Sequence, residues 1–551
     1  MIEVAIIRQK ATPDWAAAQR QLRRAIAAWI ALSMEQQRQV AWRGGHDEGS
    51  FVASWFGYYL LTGERAVLDF LRWLSDGFRG WAETHLIHGY YPEGEVHHQP
   101  ENFIFFLPRL WHADPDPRTA WALADAAHHA GNWVADIPPW YDWGLHRFRS
   151  WRLGTREVAA CPPHDIERPD HFRIIQMVLC AYRATADDRY VELAADFCRR
   201  WAREIVDSDL LPALRPFTEG RPDAYPQAFR DAALASPEQR LELHISAGTV
   251  DALLDLFSLT GDESLSRAAR KILASALDYL ARPYSHPLAA ALSRYRVDTG
   301  DTSLDGDIAA RVPGAESGGA AGMLIARPSG PHPMGIGQRR DQVRWLLAED
   351  GSRWPPDERP SPPALVLAYD VTGDDAFASQ AMIMAAERME LAAALRDGRR
   401  HGCAGGTASA VASGHGRNAG IGEVTGVLYP LALGARRRFG ADDPQVRFYC
   451  NGKAGLPESC AALWRDTDAA SAFAGDEVPL RRTKASPRSG AAQRAAREMP
   501  ALQLHNAGDS GVRLSVRMSL PRRFGRARDA AEEITLAPGE LGELGLARPA
   551  I

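Results

Sequence analysis

Leu259-Thr260-Gly261-Asp262-Glu263-Ser264-Leu265 has the form of a short junction between two helices. An apolar helix ends before it, glycine turns the chain, and an acidic residue caps the next helix. Degenerate copies of this junction surround Thr62, Thr185 and Thr372, and a proline-rich version lies at 112–119. Recurrent units of this kind predict a helical array or toroid.

Helical periodicity between these junctions predicts about twelve helices, with connections that alternate between short and long. The predicted long connections are 32–49, 85–100, 136–169, 207–240, 282–339 and 397–419. Because antiparallel hairpins place alternate connections at opposite ends, the long ones should gather at one end. The sequence therefore predicts a mainly α chain, an (α/α)6 barrel or toroid with a mouth built from long loops. A solenoid, or two bundles with decorative loops, is the alternative.

The composition and the residue pattern of the chain change after about residue 440. Stretches that alternate apolar and polar residues with period two follow a region rich in Pro, Gly, Ser and Arg, at 501–505, 512–520 and 533–536. The predicted domains are a catalytic barrel over 1–440 and, over 441–551, an irregular linker with a small antiparallel β module. Few strands bury little by themselves, so the module is expected to pack on the barrel.

Composition restricts the class of protein. The chain has 551 residues, 46% hydrophobic and 24% charged, as in an ordinary soluble globular protein. The net charge of -5 gives no electrostatic reason to expect a nucleic-acid partner. No apolar run predicts a membrane span, and residues 1–8 lack the features of a signal peptide. The expected location is cytoplasmic by default, or periplasmic or secreted if a signal was removed.

The densest cluster of proton-transfer groups lies at 88–102. Its candidates are His88, Tyr90, Tyr91, Glu93, Glu95, His97, His98, Glu101 and Asn102. Two prolines and two glycines exclude a regular helix, and apolar runs that predict helices flank the stretch. A polar loop held between rigid elements is typical of an active site. An exposed polar connector is the alternative.

A second cluster lies at 140–156. Its aromatic faces are Trp140, Trp143 and Trp151, and its guanidinium groups are Arg147, Arg149, Arg152 and Arg156. Sugars stack on aromatic rings, and guanidinium forks suit the carboxylate of a uronic acid. The cluster therefore predicts a binding surface for an acidic oligo- or polysaccharide. Cation–π packing of a protein surface is the alternative.

Further candidate binding groups come from the remaining long connections. They are His46, Asp47, Glu48, Asp142, His146, His164, His171, His244, His415 and Arg417. The stretch 298–307 is rich in Asp and Gly but misses the EF-hand spacing, so a mobile lid or disorder is expected there rather than a cation site. HExxH is absent, and no spacing singles out three ligands. Neither a metal nor another cofactor is expected.

Stretches 90–102 and 143–156, together with the predicted helices and β module, resemble the six-hairpin glycosidase and α/α-toroid polysaccharide lyase superfamily. Locally they resemble rhamnogalacturonan-exolyase-like proteins, although the large N-terminal β domain of those proteins is missing. The resemblance implies a carbohydrate-active enzyme with its active site in the barrel mouth.

Such a mouth predicts a lyase that cleaves a uronate-containing glycan by β-elimination. His97 or His98 is the expected base, Tyr90 or Tyr91 the acid, and Glu101 orients the histidine, while Arg149 and Asn102 neutralise the uronate carboxylate. One alternative is a glycoside hydrolase with two catalytic carboxylates, chosen from Asp47, Glu48, Glu93, Glu95, Glu101 and Asp142. A second alternative is a glycan-binding toroid without catalysis.

Overall fold

The computed structural model describes residues 15–38, 58–59, 64–96, 106–113, 116–216, 236–282, 286–314, 327–328, 343–344, 359–394, 430–431, 433, 446–449, 460–465, 501–506, 512–520, 528–537 and 541–545. Most of these residues are helical, which confirms the predicted mainly α class. Among the helices in these ranges, none combines the length and apolar character needed to cross a lipid bilayer.

The helices are α1 (Trp15–Arg38), α2 (Arg65–His85), α3 (Leu107–Ala113), α4 (Pro117–Ala130), α5 (Phe172–Thr185), α6 (Asp188–Asp207), α7 (Pro237–Ser246), α8 (Thr249–Thr260), α9 (Glu263–Ala276), α10 (His286–Thr299), α11 (Asp305–Arg311), α12 (Pro362–Thr372) and α13 (Asp375–Ala394). Single 3-10 turns lie at Pro169–His171 and Leu277–Tyr279.

Short strands connect the helices, and longer ones lie near the C-terminus. They are β1 (Tyr141–Asp142), β2 (Arg147–Phe148), β3 (Ile166–Glu167), β4 (Arg215–Pro216), β5 (Arg327–Pro328), β6 (Val343–Arg344), β7 (Val446–Tyr449), β8 (Cys460–Arg465), β9 (Ala501–Asn506), β10 (Val512–Leu520), β11 (Arg528–Leu536) and β12 (Leu541–Gly545). The sheet order is β12-β9-β8-β7, β10 pairs with β11, and these pairings are antiparallel. The packing of these strands on the helices as a module stays a prediction.

The junction at Thr260 consists of three linked hydrogen bonds. The Thr260 hydroxyl donates to the Leu256 carbonyl at 2.8 Å and accepts from the Asp262 N–H at 3.3 Å. The Asp262 carboxylate then accepts from the N–H of Ser264 at 3.0 Å. Gly261, between them, has a φ of +69°, a left-handed conformation that glycine adopts at little cost. One helix is thereby ended and the next begun within a few residues.

The same junction recurs at Thr185, Thr299 and Thr372. Each hydroxyl donates to the carbonyl one turn earlier at 2.7–2.8 Å and accepts from the N–H two residues later at 3.1–3.4 Å. The acidic residue that follows accepts from a main-chain N–H in every case. The left-handed residues are Ala186, Gly300 and Gly373. The repeat predicted from the sequence is therefore a physical unit of the fold.

The prediction of one long loop at 282–339 was wrong, because α10 and α11 lie within this range and the junction at Thr299 joins them. The acidic groups predicted to form a lid or cation loop are partnered by the protein. Asp301 accepts from Tyr295 and Ser303, Asp305 pairs with Arg296, Asp307 with Arg311 and Asp298 with Arg294. Helical periodicity also predicts helices at 241–258 and, broken at its prolines, at 340–370. The first is split into α7 and α8, and among the described residues of the second, Val343–Arg344 is a strand and α12 spans Pro362–Thr372.

Neighbouring helices pack in sequence around the array. Contacts join α4 to α5, α5 to α6 and α8, α8 to α9, α9 to α10, α10 to α12, and α12 to α13. Helix α1 also packs against α13, which is distant from it in the sequence. Helical periodicity also predicts helices at 50–61 and 420–436. Both fall almost entirely outside the described residues, and the complete ring stays a prediction.

A buried ionic network ties together α5, α8 and α10. Arg294 contacts Asp251 at 3.0 Å, Asp298 at 3.1 Å and also Asp255, while Arg183 contacts Asp255 at 2.6 Å. Burial raises the pKa of Asp255, but the charges of Arg183 and Arg294 outweigh burial and lower it below its usual value. The network fixes the register of the three helices, since a displaced helix would leave a buried charge unpaired.

Among the described junctions, Ala186 is the left-handed residue that is not a glycine, and its substitution tests how the junction affects stability. We expect Ala186→Gly to raise the free energy of unfolding by about 0.5 kcal/mol, because relief of the left-handed strain exceeds the entropy gained by the unfolded chain. Gly373→Ala is the matched control: a Cβ at Gly373 would meet nothing within 4 Å, so only backbone strain opposes it. This control should lower the same free energy by about 1 kcal/mol. Urea denaturation measures both, and equal signs for the two variants would contradict the junction model.

Candidate functional site

Three long connections form one continuous layer beside the helices. A β-bridge joins Glu95 to Arg152, and the N–H of Val96 donates to the carbonyl of Trp151 at 2.8 Å. A third connection joins the layer through the antiparallel pairing of β3 with β4. The two stretches richest in proton-transfer groups and guanidinium groups are therefore neighbours in space, as the sequence predicted.

Gly154 permits this close approach. The neighbouring N–H groups of Thr155 and Arg156 donate to the carbonyls of Tyr91 and Pro92 at 3.2 and 3.0 Å. A Cβ added at Gly154 would lie 2.1 Å from the Pro92 carbonyl oxygen, so no other residue fits without moving the backbone.

The two adjacent tyrosines have different environments. Tyr90 is fully buried, its hydroxyl donates to the Ala126 carbonyl at 3.0 Å, and burial raises its pKa well above the usual value. It packs edge-to-face on Trp140. Tyr91 is only half-buried, with its ring edge toward Trp81. These environments argue against Tyr90 as the predicted acid and leave Tyr91 as the candidate.

Of the three tryptophans predicted to form the aromatic binding surface, one is buried and two are partly accessible. Trp140 is completely buried and its indole N–H donates to the Gly154 carbonyl at 3.0 Å, so it cannot stack on a sugar. Trp143 is 39% exposed and Trp151 is half-buried. Only these two rings retain surface for a ligand.

The arginines of the same cluster also differ. Arg147 is buried, and Arg149 lies 3.5 Å from the Asp142 carboxylate, which accepts two further main-chain N–H bonds. Arg152 is half-buried and Arg156 is exposed. Arg152 and Arg156, rather than the predicted Arg149, are the partly exposed arginines whose main chain pairs with the Tyr91–Glu95 segment.

Several predicted binding histidines have structural roles instead. His171 is fully buried, and its Nε2–H donates to the Ser150 carbonyl at 2.8 Å. His244 is fully buried too, with Nε2 bonded to the Pro212 carbonyl at 2.8 Å and Nδ1 to the Thr249 hydroxyl at 3.2 Å. Neither imidazole can contact a substrate.

Two further histidines of the predicted binding set retain exposed surface. His164 is half-buried, and His146 is exposed and pairs with Asp196 at 2.7 Å. The predicted site residues outside the described ranges are His46, Asp47, Glu48, His97, His98, Glu101, Asn102, His415 and Arg417.

A second cluster, of groups able to hold a metal, lies on the other side of Tyr90. Its members are His88, Asp125 and His129, whose potential ligand atoms all lie within 4.8 Å of one another. Burial and the charge of His88 lower the pKa of His129 to about 4. Burial also lowers the pKa of His88, but hydrogen bonding to Asp136 and the charge of Asp125 outweigh it and raise that pKa above its usual value. His129 is therefore neutral at pH 7.

Sequence reasoning noticed His88 only as part of a polar stretch and missed Asp125, His129 and Asp136. A signal was present, because Asp125 and His129 are four positions apart in a predicted helix and so share one face. Only the tertiary structure brings His88 close to these two residues.

Compared with protein-family models and with curated proteins, the chain matches none. Functional inference therefore depends on the chemistry of these residues.

The buried His244 should make stability depend on pH. Burial lowers its pKa from 6.5 to about 4 in the folded protein. As the pH falls below 6.5, the unfolded chain binds this proton first, and the free energy of unfolding decreases until about pH 4. The full contribution is about 3 kcal/mol. We expect His244→Gln to be less stable at pH 7.5 but to lose less stability between pH 6.5 and 4, as measured by urea denaturation. An unchanged slope would contradict the assigned environment.

Proposed function

We propose that the chain is a carbohydrate-active enzyme, a lyase that cleaves a uronate-containing glycan by β-elimination. The single observation that carries this proposal is the pairing of residues 91–96 with 151–156. It joins the segment that carries Tyr91, Glu93 and Glu95 to the segment that carries Arg152 and Arg156, and each of these residues is at least partly exposed. β-Elimination requires a neutraliser for the uronate, a base for the α-proton and an acid for the leaving oxygen.

The roles follow from exposure and chemistry. Arg152 and Arg156 neutralise the uronate carboxylate through their guanidinium forks. Tyr91 protonates the leaving oxygen, since its neighbour Tyr90 is buried. His97 or His98, which follow Val96 in the sequence, removes the α-proton. Trp143 and Trp151 offer the remaining aromatic surface for a sugar ring.

We also propose that the helices close into an (α/α)6 barrel with a C-terminal β module packed on it. The proposal is supported by the contact of α1 with α13 and by the repeated junctions. The junctions occupy one end of each helical hairpin, so the paired layer lies at the opposite end. That end corresponds to the barrel mouth.

A glycoside hydrolase in the same layer is the second candidate. Glu93 is exposed and Glu95 is half-buried, so the layer holds two carboxylates in different environments. Hydrolysis requires two carboxyl groups on either side of the glycosidic bond, one of them as the acid. Asp142 is a weaker candidate, because its carboxylate is used by main-chain N–H groups and by Arg149.

Incubation with a panel of uronate-containing polysaccharides and oligosaccharides distinguishes the candidates. Elimination creates a carbon–carbon double bond conjugated with the uronate carboxyl, so ultraviolet absorbance of the products should rise with time. New reducing ends without that absorbance would favour the hydrolase. A glycan that binds without either product would favour the non-catalytic toroid.

The adjacent tyrosines form a matched pair of variants. We expect Tyr91→Phe to lower kcat by about 100-fold or more, because the acid for the leaving oxygen is lost. Tyr90→Phe should keep kcat and lower the free energy of unfolding by about 1 kcal/mol through loss of its hydrogen bond. Initial rates and urea denaturation separate the two effects. A large loss of kcat in Tyr90→Phe with none in Tyr91→Phe would reverse the assignment.

The histidine base is tested by His97→Ala and His98→Ala. One of them should lower kcat by about 100-fold or more while the other changes it little. The activity should be measured with the glycan that gives the largest absorbance change. Full activity in both variants would exclude a histidine base from this pair.

A further inference from the structure

The cluster of His88, Asp125 and His129 takes no part in the proposed elimination. His88 lies in a tight turn in which Ile87 and Tyr90 exchange main-chain hydrogen bonds at 2.9 and 3.0 Å. Its φ is +53° and that of Gly89 is +82°, the combination that a two-residue hairpin turn requires. A histidine in this conformation is strained, and the turn directs it toward one face of α4.

His88 is held by a carboxylate on each side of its ring. Nδ1 lies 3.0 and 3.2 Å from the two Asp125 oxygens, and Nε2 lies 2.7 Å from the Asp136 carboxylate. Asp136 is exposed and lies outside the cluster. A carboxylate that accepts from one nitrogen of an imidazole while the other nitrogen faces a ligand cluster is typical of metal-binding histidines.

An ion pair between His88 and its carboxylates does not explain the environment of His129. It is fully buried, and neither of its ring nitrogens has a hydrogen-bond partner among the described residues. Its ring centroid lies 4.3 Å from that of His88. A buried polar group without a partner costs about 1–3 kcal/mol, and coordination of a metal by its lone pair would remove this cost.

We propose that His88, Asp125 and His129 bind one divalent transition-metal ion, with zinc as the expected metal. Two imidazoles and one carboxylate form a ligand set that zinc prefers. Asp136 acts as the outer partner that orients His88. His88 and Asp125 are partly exposed, so a fourth position remains open to solvent. The site goes beyond the proposed elimination and does not depend on it.

The test uses the full chain, freed of metal with a chelator and then given zinc. Elemental analysis after gel filtration should find about one zinc per chain, the stoichiometry of a single site with three protein ligands. Cobalt in place of zinc should give the visible absorption of a four-coordinate ion. Asp125→Asn and His129→Gln should abolish both signals, whereas Asp136→Asn should weaken zinc binding by about 10–100-fold.

His146→Ala is the matched control. His146 and Asp196 form another histidine–carboxylate pair at 2.7 Å but belong to no cluster of three ligands within the part of the chain that the structure describes, so zinc binding should persist in this variant. Circular dichroism of each variant shows whether it is folded, and His88→Gln gives a third test at a partly exposed position. The proposal would be overturned if zinc does not bind the wild-type chain. It would also be overturned if folded His88→Gln and Asp125→Asn variants bind zinc as tightly as the wild-type chain does.

Discussion

The hydrogen-bonded junction between threonine and an acidic residue is the constraint on which the rest of the structure depends. It ends one helix through a left-handed residue and caps the next within a few residues, so the two helices must lie side by side and antiparallel. In the proposed barrel, the long connections gather at the opposite end. The repetition of the junction at Thr185, Thr299 and Thr372 extends this constraint along the array.

The long connections contain main-chain groups that no regular secondary structure satisfies. Side chains that the sequence suggested as catalytic or binding groups form hydrogen bonds to some of them. Trp140 and His171 donate to the carbonyls of Gly154 and Ser150, and His244 donates to that of Pro212. A buried carbonyl without a donor is costly, so these loops need many aromatic and imidazole donors. The density of such residues therefore exaggerates the number available for catalysis.

Two candidate centres share the segment 87–96. Its first turn supplies His88 to the metal-ligand cluster, and its later residues form the layer with Arg152. Tyr90 lies between them and packs on both His129 and Trp140. A fully buried aromatic residue at this place separates the two centres while it fixes the spacing of the groups on either side. Each centre can therefore have its own chemistry.

The sequence by itself determined the helical class and the junctions, because caps and helical periodicity are local signals. The adjacency of the two polar stretches was predicted only indirectly, from the alternation of short and long connections. It missed α10 and α11, since the junction at Thr299 resembles an acidic loop when its partners are unseen. Only the tertiary structure decided which of two adjacent tyrosines is accessible and which histidine meets Asp125. Burial and contacts between distant segments depend on how helices pack, and residue type alone does not encode them.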